Sequence, residues 1–324
     1  MPRIVLLLSS IAAALLLASG VGLLNAVKPA EATFPGVNGR IAYAGVDPVE
    51  GDVDIYTMNA NGGDKLNVTN DTDGDYGRND SYPSYSPNAD KLVYVNFDWD
   101  EFGEVANAVY TITLSGGARS KVVEGGSGFF YFPTYAPDGN RIAYQGYDES
   151  IGGKDETEIY TINATGGGRV QVTNNDLDEG QPDYSPSGQR IAFSGWDGND
   201  WEIYTIKAGG GGRIQVTNNN RPDVSPSYSP NGKKIAYAHR DGYSNDYDID
   251  TINAGGGGVF QVTRNKSNEA HDFDPSYSPD GKRIAYSGWD GTDSEIYKIS
   301  PTGGTPIPIT NNNTDDERPS WGSQ

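Results

Sequence analysis

The chain contains no cysteine and only two histidines, His239 and His271, among its 324 residues. Without thiols it cannot form a disulfide, a thiolate metal site or a lipid-modified N-terminal cysteine. Two histidines fall short of the three protein ligands that a catalytic transition metal normally takes. The G-x-S-x-G nucleophile elbow, the P-loop and the dinucleotide-binding fingerprint are also absent. We therefore predict that the protein is not an enzyme.

Basic residues are scarce relative to acidic ones. Only 24 Lys and Arg accompany 44 Asp and Glu, which gives a net charge of -20 and a pI near 4.3. This excess of carboxylates repels phosphate backbones and anionic lipid headgroups. Nucleic acid is therefore excluded as a partner, whereas basic peptides, cations and neutral sugars are compatible with the charge.

A long apolar run occurs only at the N-terminus. Arg3 precedes an apolar stretch from Ile4 to about Leu24, and Ala30-Glu31-Ala32 supplies the small residues that a signal peptidase requires. We predict that residues 1–32 are a secretory signal, although a run of about 20 apolar residues could instead remain as a membrane anchor. In both cases residues 33–324 are expected outside the cytoplasmic membrane, in the periplasm, at the cell surface or secreted.

The remaining chain has no helical period and is rich in turn-forming and aromatic residues, with 43 Gly, 19 Pro and 21 Tyr in the sequence. Tyr-Ser-Pro or Tyr-Ala-Pro recurs at Tyr85, Tyr135, Tyr184, Tyr228 and Tyr277, at intervals of roughly 44 to 50 residues. A repeat of this length is typical of propeller blades.

Each repeat contains four short runs of β-branched and aromatic residues bounded by turn signals. In the fourth unit the predicted strands A to D are Pro182–Ser185, Arg190–Ser194, Glu202–Ile206 and Arg213–Thr217. The first unit starts at a B-like strand, Gly39–Tyr43, and its missing strand A occurs near the other end, at Arg318–Gly322. The sequence thus predicts an all-β, six-bladed propeller over residues 33–324, with four antiparallel strands per blade and a ring closed by the C-terminal strand.

The segment Pro-Ser-Tyr-Ser-Pro-Asp-Gly-Lys-Arg-Ile-Ala-Tyr-Ser at 275–287, followed by Glu295-Ile296-Tyr297 and Ile309-Thr310-Asn311, resembles the repeat of TolB-type, WD-like β-propellers. The resemblance implies the fold for the whole chain after residue 32. It implies less about function, because such repeats serve periplasmic scaffolds, binding proteins and the non-catalytic portions of peptidases. TolB itself carries an additional N-terminal α/β domain, for which the few residues before Gly39 leave no room. A TolB-like propeller is therefore expected.

The predicted topology places the B–C and D–A loops on one face, called the top face here. Counting three residues back from the proline of each strand A gives Asp80, Glu179, Asp223, Asp272 and Asp316, with Phe130 in the remaining position. We predict that these carboxylates ring the upper mouth of a central channel, where a concave rim of one charge attracts basic partners or cations. Alternatively, each carboxylate accepts hydrogen bonds within its own loop.

Aromatic side chains are predicted on the same face. Trp196 and Trp289 occupy the same position of their B–C loops, and Tyr147 is the equivalent residue in the third blade. Aromatic rings beside carboxylates are typical of sugar sites, but they equally cover the junctions between blades.

Calcium is the one cofactor that the loops suggest, because Asp- and Asn-dense B–C loops offer several oxygen ligands. No loop has the spacing of an EF-hand, so the pattern is a weak one. The candidate ligands are Asp197, Asp200, Asp290, Asp293, His239 and His271.

The sequence as a whole predicts an exported propeller that binds or scaffolds a basic protein or peptide at the cell envelope through an acidic top face. The membrane is expected as a partner only through an uncleaved N-terminal segment. The competing interpretations are a carbohydrate-binding protein, a metal-dependent polysaccharide lyase or hydrolase built on the same ring, and a purely structural component of the envelope.

Overall fold

The computed structural model describes residues 36–49, 51–70, 78–99, 105–115, 118–124, 129–147, 156–242, 246–264 and 271–324. The predicted signal segment, residues 1–32, lies outside this part of the chain. The described residues form strands and turns, which confirms the all-β class. Among them no helix is present that could cross a membrane.

Twenty-four strands occur in the described part of the chain. The first twelve are β1 (Asn38–Val46), β2 (Val53–Met58), β3 (Leu66–Asn67), β4 (Arg78–Tyr85), β5 (Lys91–Trp99), β6 (Val105–Thr113), β7 (Ser120–Glu124), β8 (Phe130–Tyr135), β9 (Arg141–Gly146), β10 (Glu158–Asn163), β11 (Val170–Gln171) and β12 (Glu179–Tyr184). The others are β13 (Arg190–Trp196), β14 (Trp201–Lys207), β15 (Ile214–Gln215), β16 (Asp223–Tyr228), β17 (Lys234–Arg240), β18 (Tyr247–Asn253), β19 (Phe260–Gln261), β20 (Asp272–Tyr277), β21 (Ile284–Trp289), β22 (Ser294–Ile299), β23 (Ile307–Pro308) and β24 (Asp316–Ser323).

Sixteen of these strands form four separate sheets, β8–β11, β12–β15, β16–β19 and β20–β23, in which each strand pairs antiparallel with the next. The other eight strands form one sheet in the order β24-β1-β2-β4-β5-β6-β7, with β3 paired to β2. Six separate sheets were predicted, so the prediction was correct for four of them and wrong for the remaining eight strands.

A single strand pairing joins the two halves of the eight-stranded sheet. Val53 of β2 and Asn79 of β4 are the one parallel pair between them. The N–H of Val53 donates a hydrogen bond to the side-chain oxygen of Asn79, over 2.9 Å. This side chain bridges the starts of the two strands, and the halves are otherwise antiparallel units of four strands each.

The core lies between neighbouring sheets. Ile191 and Phe193 of β13 are fully buried and pack in one cluster with Ala143 and Ile159 of the preceding sheet. Burying an aliphatic or aromatic side chain of this size contributes about 1.5–3 kcal/mol. Because each sheet repeats the same Ile-Ala-Tyr or Ile-Ala-Phe pattern, the same packing recurs from sheet to sheet.

The first strand of each unit lies innermost. β4, β8, β12, β16 and β20 each contact the next of these strands, β20 contacts β24, and β24 contacts β4. β24 also pairs antiparallel with β1, with Trp321 opposite Ile41. Sheets arranged side by side with their first strands facing a common axis define a β-propeller.

Candidate functional site

The innermost strands enclose a cavity of about 140 Å³, called the central channel here. Each of these strands contributes the proline of the repeat and the residues on either side of it. The residues that follow the prolines are mostly small hydroxyl-bearing side chains. They are Ser84, Thr134, Asp183, Ser227, Ser276 and Ser320.

Asp183 is the one carboxylate among the six residues that follow the prolines. Its side chain accepts a hydrogen bond from the N–H of Tyr228, over 2.6 Å. Burial raises the pKa of Asp183 to about 7, although the backbone N–H groups of Tyr228 and Tyr184 oppose this by bonding to the carboxylate. The channel wall is therefore polar at this point, and burial favours the protonated form of Asp183.

The residues before the prolines adopt an unusual backbone conformation. Their φ angles lie between 50° and 56°, in the left-handed region that residues other than glycine seldom adopt. Each stands at a register shift between the innermost strand and its neighbour. The bulge places six chemically different side chains at the channel wall: Tyr82, Phe132, Gln181, Ser225, Asp274 and Arg318.

The channel opens at the top face into a wider cavity of about 350 Å³, called the mouth pocket here. Its apolar lining includes Phe132, Phe273 and Trp289, and 37% of the Trp289 side chain is exposed. Asp274 and Arg318 add opposite charges to the same wall. A concave, largely apolar cavity with a few convergent polar groups is the usual form of a ligand site.

Hydrogen bonds fix the polar side of the mouth pocket. The Gln181 amide donates to the Ser225 hydroxyl over 2.8 Å, and that hydroxyl donates to Asp274 over 2.8 Å. The oxygen of the Gln181 amide accepts a hydrogen bond from the Ser194 hydroxyl over 2.7 Å. The side chains are therefore oriented before a ligand arrives, which lowers the entropy lost on binding.

Arg318 lies on β24, the innermost strand next to the one that carries Asp274. Its guanidinium stacks 4.4 Å from the centre of the Tyr82 ring and lies 3.0 Å from the carboxylate of Glu317. The Tyr82 ring is in turn 4.2 Å from that of Phe132. The cation is thus positioned by an aromatic ring and a carboxylate, with one face toward the pocket.

The five carboxylates predicted to ring the channel mouth are instead inside the sheets. All are at most 5% exposed, and the residues that line the central channel and the mouth pocket do not include them. Asp80 bonds to Asn96, Glu179 to Arg213 and Asn175, Asp223 to His239 and Asn219, and Asp316 to Asn312, while Asp272 stands opposite Gly288. The placement at the rim was therefore wrong. The alternative, hydrogen bonding within the carboxylate's own loop, fits Glu179, Asp223 and Asp316, each of which accepts a hydrogen bond from an asparagine four residues earlier.

The cause of this difference is the start of the innermost strand. The predicted strand A began at Pro182, but β12 begins at Glu179, which pairs with Gly195 of β13. The carboxylate therefore lies over the sheet, where Arg213 reaches it over 2.5 Å. Arg213 also stacks 3.9 Å from the Tyr204 ring, so the pair sits in an aromatic environment.

The two histidines lie in different surroundings. His239 is 2.6 Å from Asp223, which is fully buried. Burial lowers the pKa of His239, but the hydrogen bond to Asp223 and the charges of Asp223 and Asp250 outweigh this, so the pKa is raised above its ordinary value. His271 lines the mouth pocket, packed against Phe273 at 5.9 Å between ring centres.

In the part of the chain that the structure describes, two groups of three carboxylates occur where a B–C loop leads into strand C. Within each group one oxygen of every residue lies within 4.8 Å of the others. The sequence predicted the four aspartates but missed Glu202 and Glu295, which follow the second aspartate by two residues in strand C. The groups are Asp197, Asp200 and Glu202, and Asp290, Asp293 and Glu295.

The three predicted aromatic residues of the top face differ in environment. Trp289 lines the mouth pocket. Trp196 is half-buried and meets Trp201 edge to face at 6.1 Å. Tyr147, also half-buried, continues the pairing of its sheet through a backbone hydrogen bond to Phe129. Sequence reasoning missed the six residues before the prolines. They could have been found because all six differ although the proline beside them is constant in the repeat.

The fold and the mouth pocket define a β-propeller protein with an open cavity at one end of its channel. Residues 81–324 match the family described as the TolB beta propeller domain, and the chain belongs to this family, as predicted. No curated protein sequence matches the chain.

Solved structures share the fold. TolB from Acinetobacter baumannii is 23% identical with a TM-score of 0.73, over 88% of this chain and 67% of that chain. A putative TolB from Agrobacterium tumefaciens is 18% identical with a TM-score of 0.62, over 86% of this chain and 91% of that chain. An oligogalacturonate lyase from Vibrio parahaemolyticus is 12% identical with a TM-score of 0.54, over 76% of this chain and 72% of that chain. At these identities the likeness concerns the fold alone.

Proposed function

We propose that the chain is an exported, six-bladed TolB-like propeller that binds a protein or peptide segment at its mouth pocket and is not an enzyme. The observation that carries this proposal is the mouth pocket itself, an open cavity of about 350 Å³ whose polar side chains are already fixed by hydrogen bonds. Cavities of this size accommodate one or two side chains of a partner, which is enough for an anchoring contact.

The count of six blades is supported by the eight-stranded sheet. Its halves have four strands each and share a single parallel pair, at Val53 and Asn79. Counting each half as one blade gives six, and six innermost strands follow one another around the channel. The pairing of β24 with β1 supports a ring closed by the C-terminal strand.

A basic partner is favoured by the charge around the pocket. The chain carries an excess of 20 negative charges. Asp197 and Asp290 of the B–C loops are exposed, as is Asp98 near the end of β5, and all three can act on an approaching partner. We propose that these loops supply the attracting field in place of the five buried carboxylates.

The extracytoplasmic location rests on residues 1–32. A basic residue, an apolar run and an Ala-Glu-Ala motif support a secretory signal, with a retained membrane anchor as the alternative. We propose that residues 33–324 act at the cell envelope or outside it.

A peptide-display selection against the exported protein tests the proposal, with Trp289→Ala as the pocket variant and Trp196→Ala as its matched control. We expect basic peptides that bind the wild type and the control equally and the pocket variant about 10-fold or more weakly, because an interface aromatic anchor contributes ≥ ~2 kcal/mol. Binding should weaken as salt is raised. Peptides that bind all three proteins equally would place the interaction elsewhere.

A carbohydrate ligand is the second candidate, favoured by the exposed ring of Trp289 beside His271 in the same pocket. The fold is also that of an oligogalacturonate lyase, which is an enzyme. A glycan array probes binding, and turnover of polysaccharides by the wild type and by a double variant, His239→Gln with His271→Gln, probes catalysis. Turnover that the double variant abolishes would replace our proposal with an enzymatic one.

A further inference from the structure

We infer that the protein has two equivalent calcium sites on its top face, one in each of the two carboxylate groups, Asp197 with Asp200 and Glu202, and Asp290 with Asp293 and Glu295. The mouth pocket plays no part in this inference, which goes beyond the proposed function.

The spacing of the oxygens suits calcium. The oxygens of each group lie within 4.8 Å of one another. A calcium ion sits 2.3–2.6 Å from its oxygen ligands, so two ligands across the ion are at most about 5 Å apart. Water molecules can complete the six to eight ligands, because the first aspartate of each loop is exposed.

Buried oxygens without partners are the second observation. Asp200 is only 5% exposed, and neither of its carboxylate oxygens has a hydrogen-bond partner among the described residues. Glu202 is fully buried, and its Oε2 also has none. Its Oε1 accepts a hydrogen bond from the N–H of Asn219. A buried carboxylate without a donor or cation is costly, so these oxygens indicate a missing positive ligand.

The second group repeats this arrangement. Asp293 is 7% exposed and has no hydrogen-bond partner at Oδ2, and Glu295, 1% exposed, has none at Oε2. The Oε1 of Glu295 accepts a hydrogen bond from the N–H of Asn312, as its counterpart does from Asn219. The glutamates pair with glycines at equivalent places, Gly195 and Gly288. The same geometry in two sheets is hard to explain as an accident of one loop.

Other sheets satisfy the equivalent carboxylate differently. Asp54 stands opposite Gly45 and accepts hydrogen bonds from the side chains of Asn67 and Thr69, over 2.7 Å and 2.9 Å. Asp248 likewise accepts them from Gln261 and Thr263. The shorter aspartate is used by its own sheet, whereas the longer glutamate keeps one oxygen free for a ligand. Glu158 also stands opposite a glycine and has no partner at Oε2, but it belongs to no group of three carboxylates among the described residues. The inference is therefore restricted to the two sheets in which the glutamate and two aspartates form such a group.

Calcium titration of the exported protein, after removal of metal with EDTA, tests the inference directly. We expect two ions per chain by calorimetry, with Kd on the order of 10⁻⁴–10⁻³ M as in extracellular modules, and weaker binding of magnesium. Terbium, which replaces calcium and is sensitised by nearby tryptophan, should luminesce because Trp201 adjoins Asp200. Absence of saturable binding at ~10 mM calcium would overturn the inference.

Variants assign the ions to the sites. Asp200→Asn and Asp293→Asn should each reduce the stoichiometry from two ions to one, and the double variant should bind none. Asp241→Asn, in the corresponding loop of another sheet, is the matched control and should retain both ions. If the double variant still binds two ions, calcium binds elsewhere and the assignment is wrong.

Thermal unfolding separates a cation site from a shared proton. Without metal, Asp200→Asn should raise Tm, because it removes one of several crowded like charges. With saturating calcium the wild type should have the higher Tm, because calcium binding at both sites stabilises it whereas the variant binds at only one. A wild-type Tm that does not respond to calcium but rises with acidification would indicate a proton held between carboxylates, and would overturn the inference.

Discussion

The contact between His239 and Asp223 predicts a stability difference that depends on pH. Asp223 is fully buried, and the imidazole 2.6 Å away is its cationic partner when protonated. The ring is itself largely covered, with 21% of the side chain exposed. His239→Gln is the chosen perturbation, because it removes the charge while retaining a polar side chain of similar length.

The size of the effect follows from burial. A hydrogen bond to a charged group contributes about 1.5–3 kcal/mol, and leaving a buried charge without its partner costs about 3–5 kcal/mol. Asn219 still donates to the other oxygen of Asp223, over 2.7 Å, which limits the loss. We therefore expect His239→Gln to lower the free energy of unfolding by about 2–3 kcal/mol at low pH, or Tm by about 4–6 °C.

The sign of the pH dependence comes from the raised pKa of His239. Because the folded protein binds this proton more tightly than the unfolded chain, the stabilisation is complete below the unfolded pKa of about 6.5. It is lost as the pH rises through the higher folded pKa. The charge of Asp250 acts in the same direction as that of Asp223, and the charge of Arg221 opposes both.

Urea unfolding of both proteins between pH 5.5 and pH 9 measures the difference. His271→Gln is the control, because that ring is 3.9 Å from Asp246 and 44% exposed, so its loss should change stability by less than about 0.5 kcal/mol. The reasoning is refuted if the effect of His239→Gln is the same at both ends of the pH range or grows with pH.

Three further predictions concern stability. Trp321→Ala should cost about 3–5 kcal/mol in chemical denaturation because the ring is 5% exposed in the core, whereas Trp289→Ala should cost under about 1 kcal/mol. Gly62→Ala should lower the free energy of unfolding by about 2 kcal/mol or more beyond the effect of Gly51→Ala. Both glycines have positive φ, but only a Cβ at residue 62 would lie 2.2 Å from a backbone oxygen. Arg213→Met should lower Tm by about 6 °C or more by leaving a buried glutamate without its cation, and Tm unchanged within 1 °C would contradict this.

Much of the fold could be predicted from the sequence, because the repeated motif marks the positions of the strands and turns in each unit. Strand B was predicted at Arg190–Ser194 and observed at Arg190–Trp196, and strand C at Glu202–Ile206 was observed at Trp201–Lys207. These strands are dense in β-branched and aromatic residues, so their local preference agrees with their burial. Strand D at Arg213–Thr217 shortened to Ile214–Gln215, because an outer strand has one neighbour and little apolar surface to bury.

The candidate site was much less predictable. A residue before proline normally prefers an extended backbone, so the left-handed bulge at Gln181 and its counterparts contradicts local preference. The strand therefore starts earlier than expected, and Glu179 moves from the rim into the sheet. The sequence predicted Glu202 only as a residue of strand C, because no pattern in the neighbouring residues indicates that its Oε2 lacks a hydrogen-bond donor. These features depend on neighbouring sheets and on ring geometry, which a single repeat does not encode.

The pairing of β24 with β1 has a consequence for how the protein matures. Residues 316–323 complete a sheet that residues 38–46 begin, so the two strands come together only after some 270 intervening residues have been delivered, a non-local and therefore slow step. Until then β1 has an unpaired edge that another newly made chain could occupy. The amide of Gln324 donates to the carbonyl of Val37 over 2.9 Å, so the contact between these two parts of the chain extends beyond the paired residues of β24 and β1. The interval before β24 is made is therefore the period in which intermolecular strand exchange competes with folding.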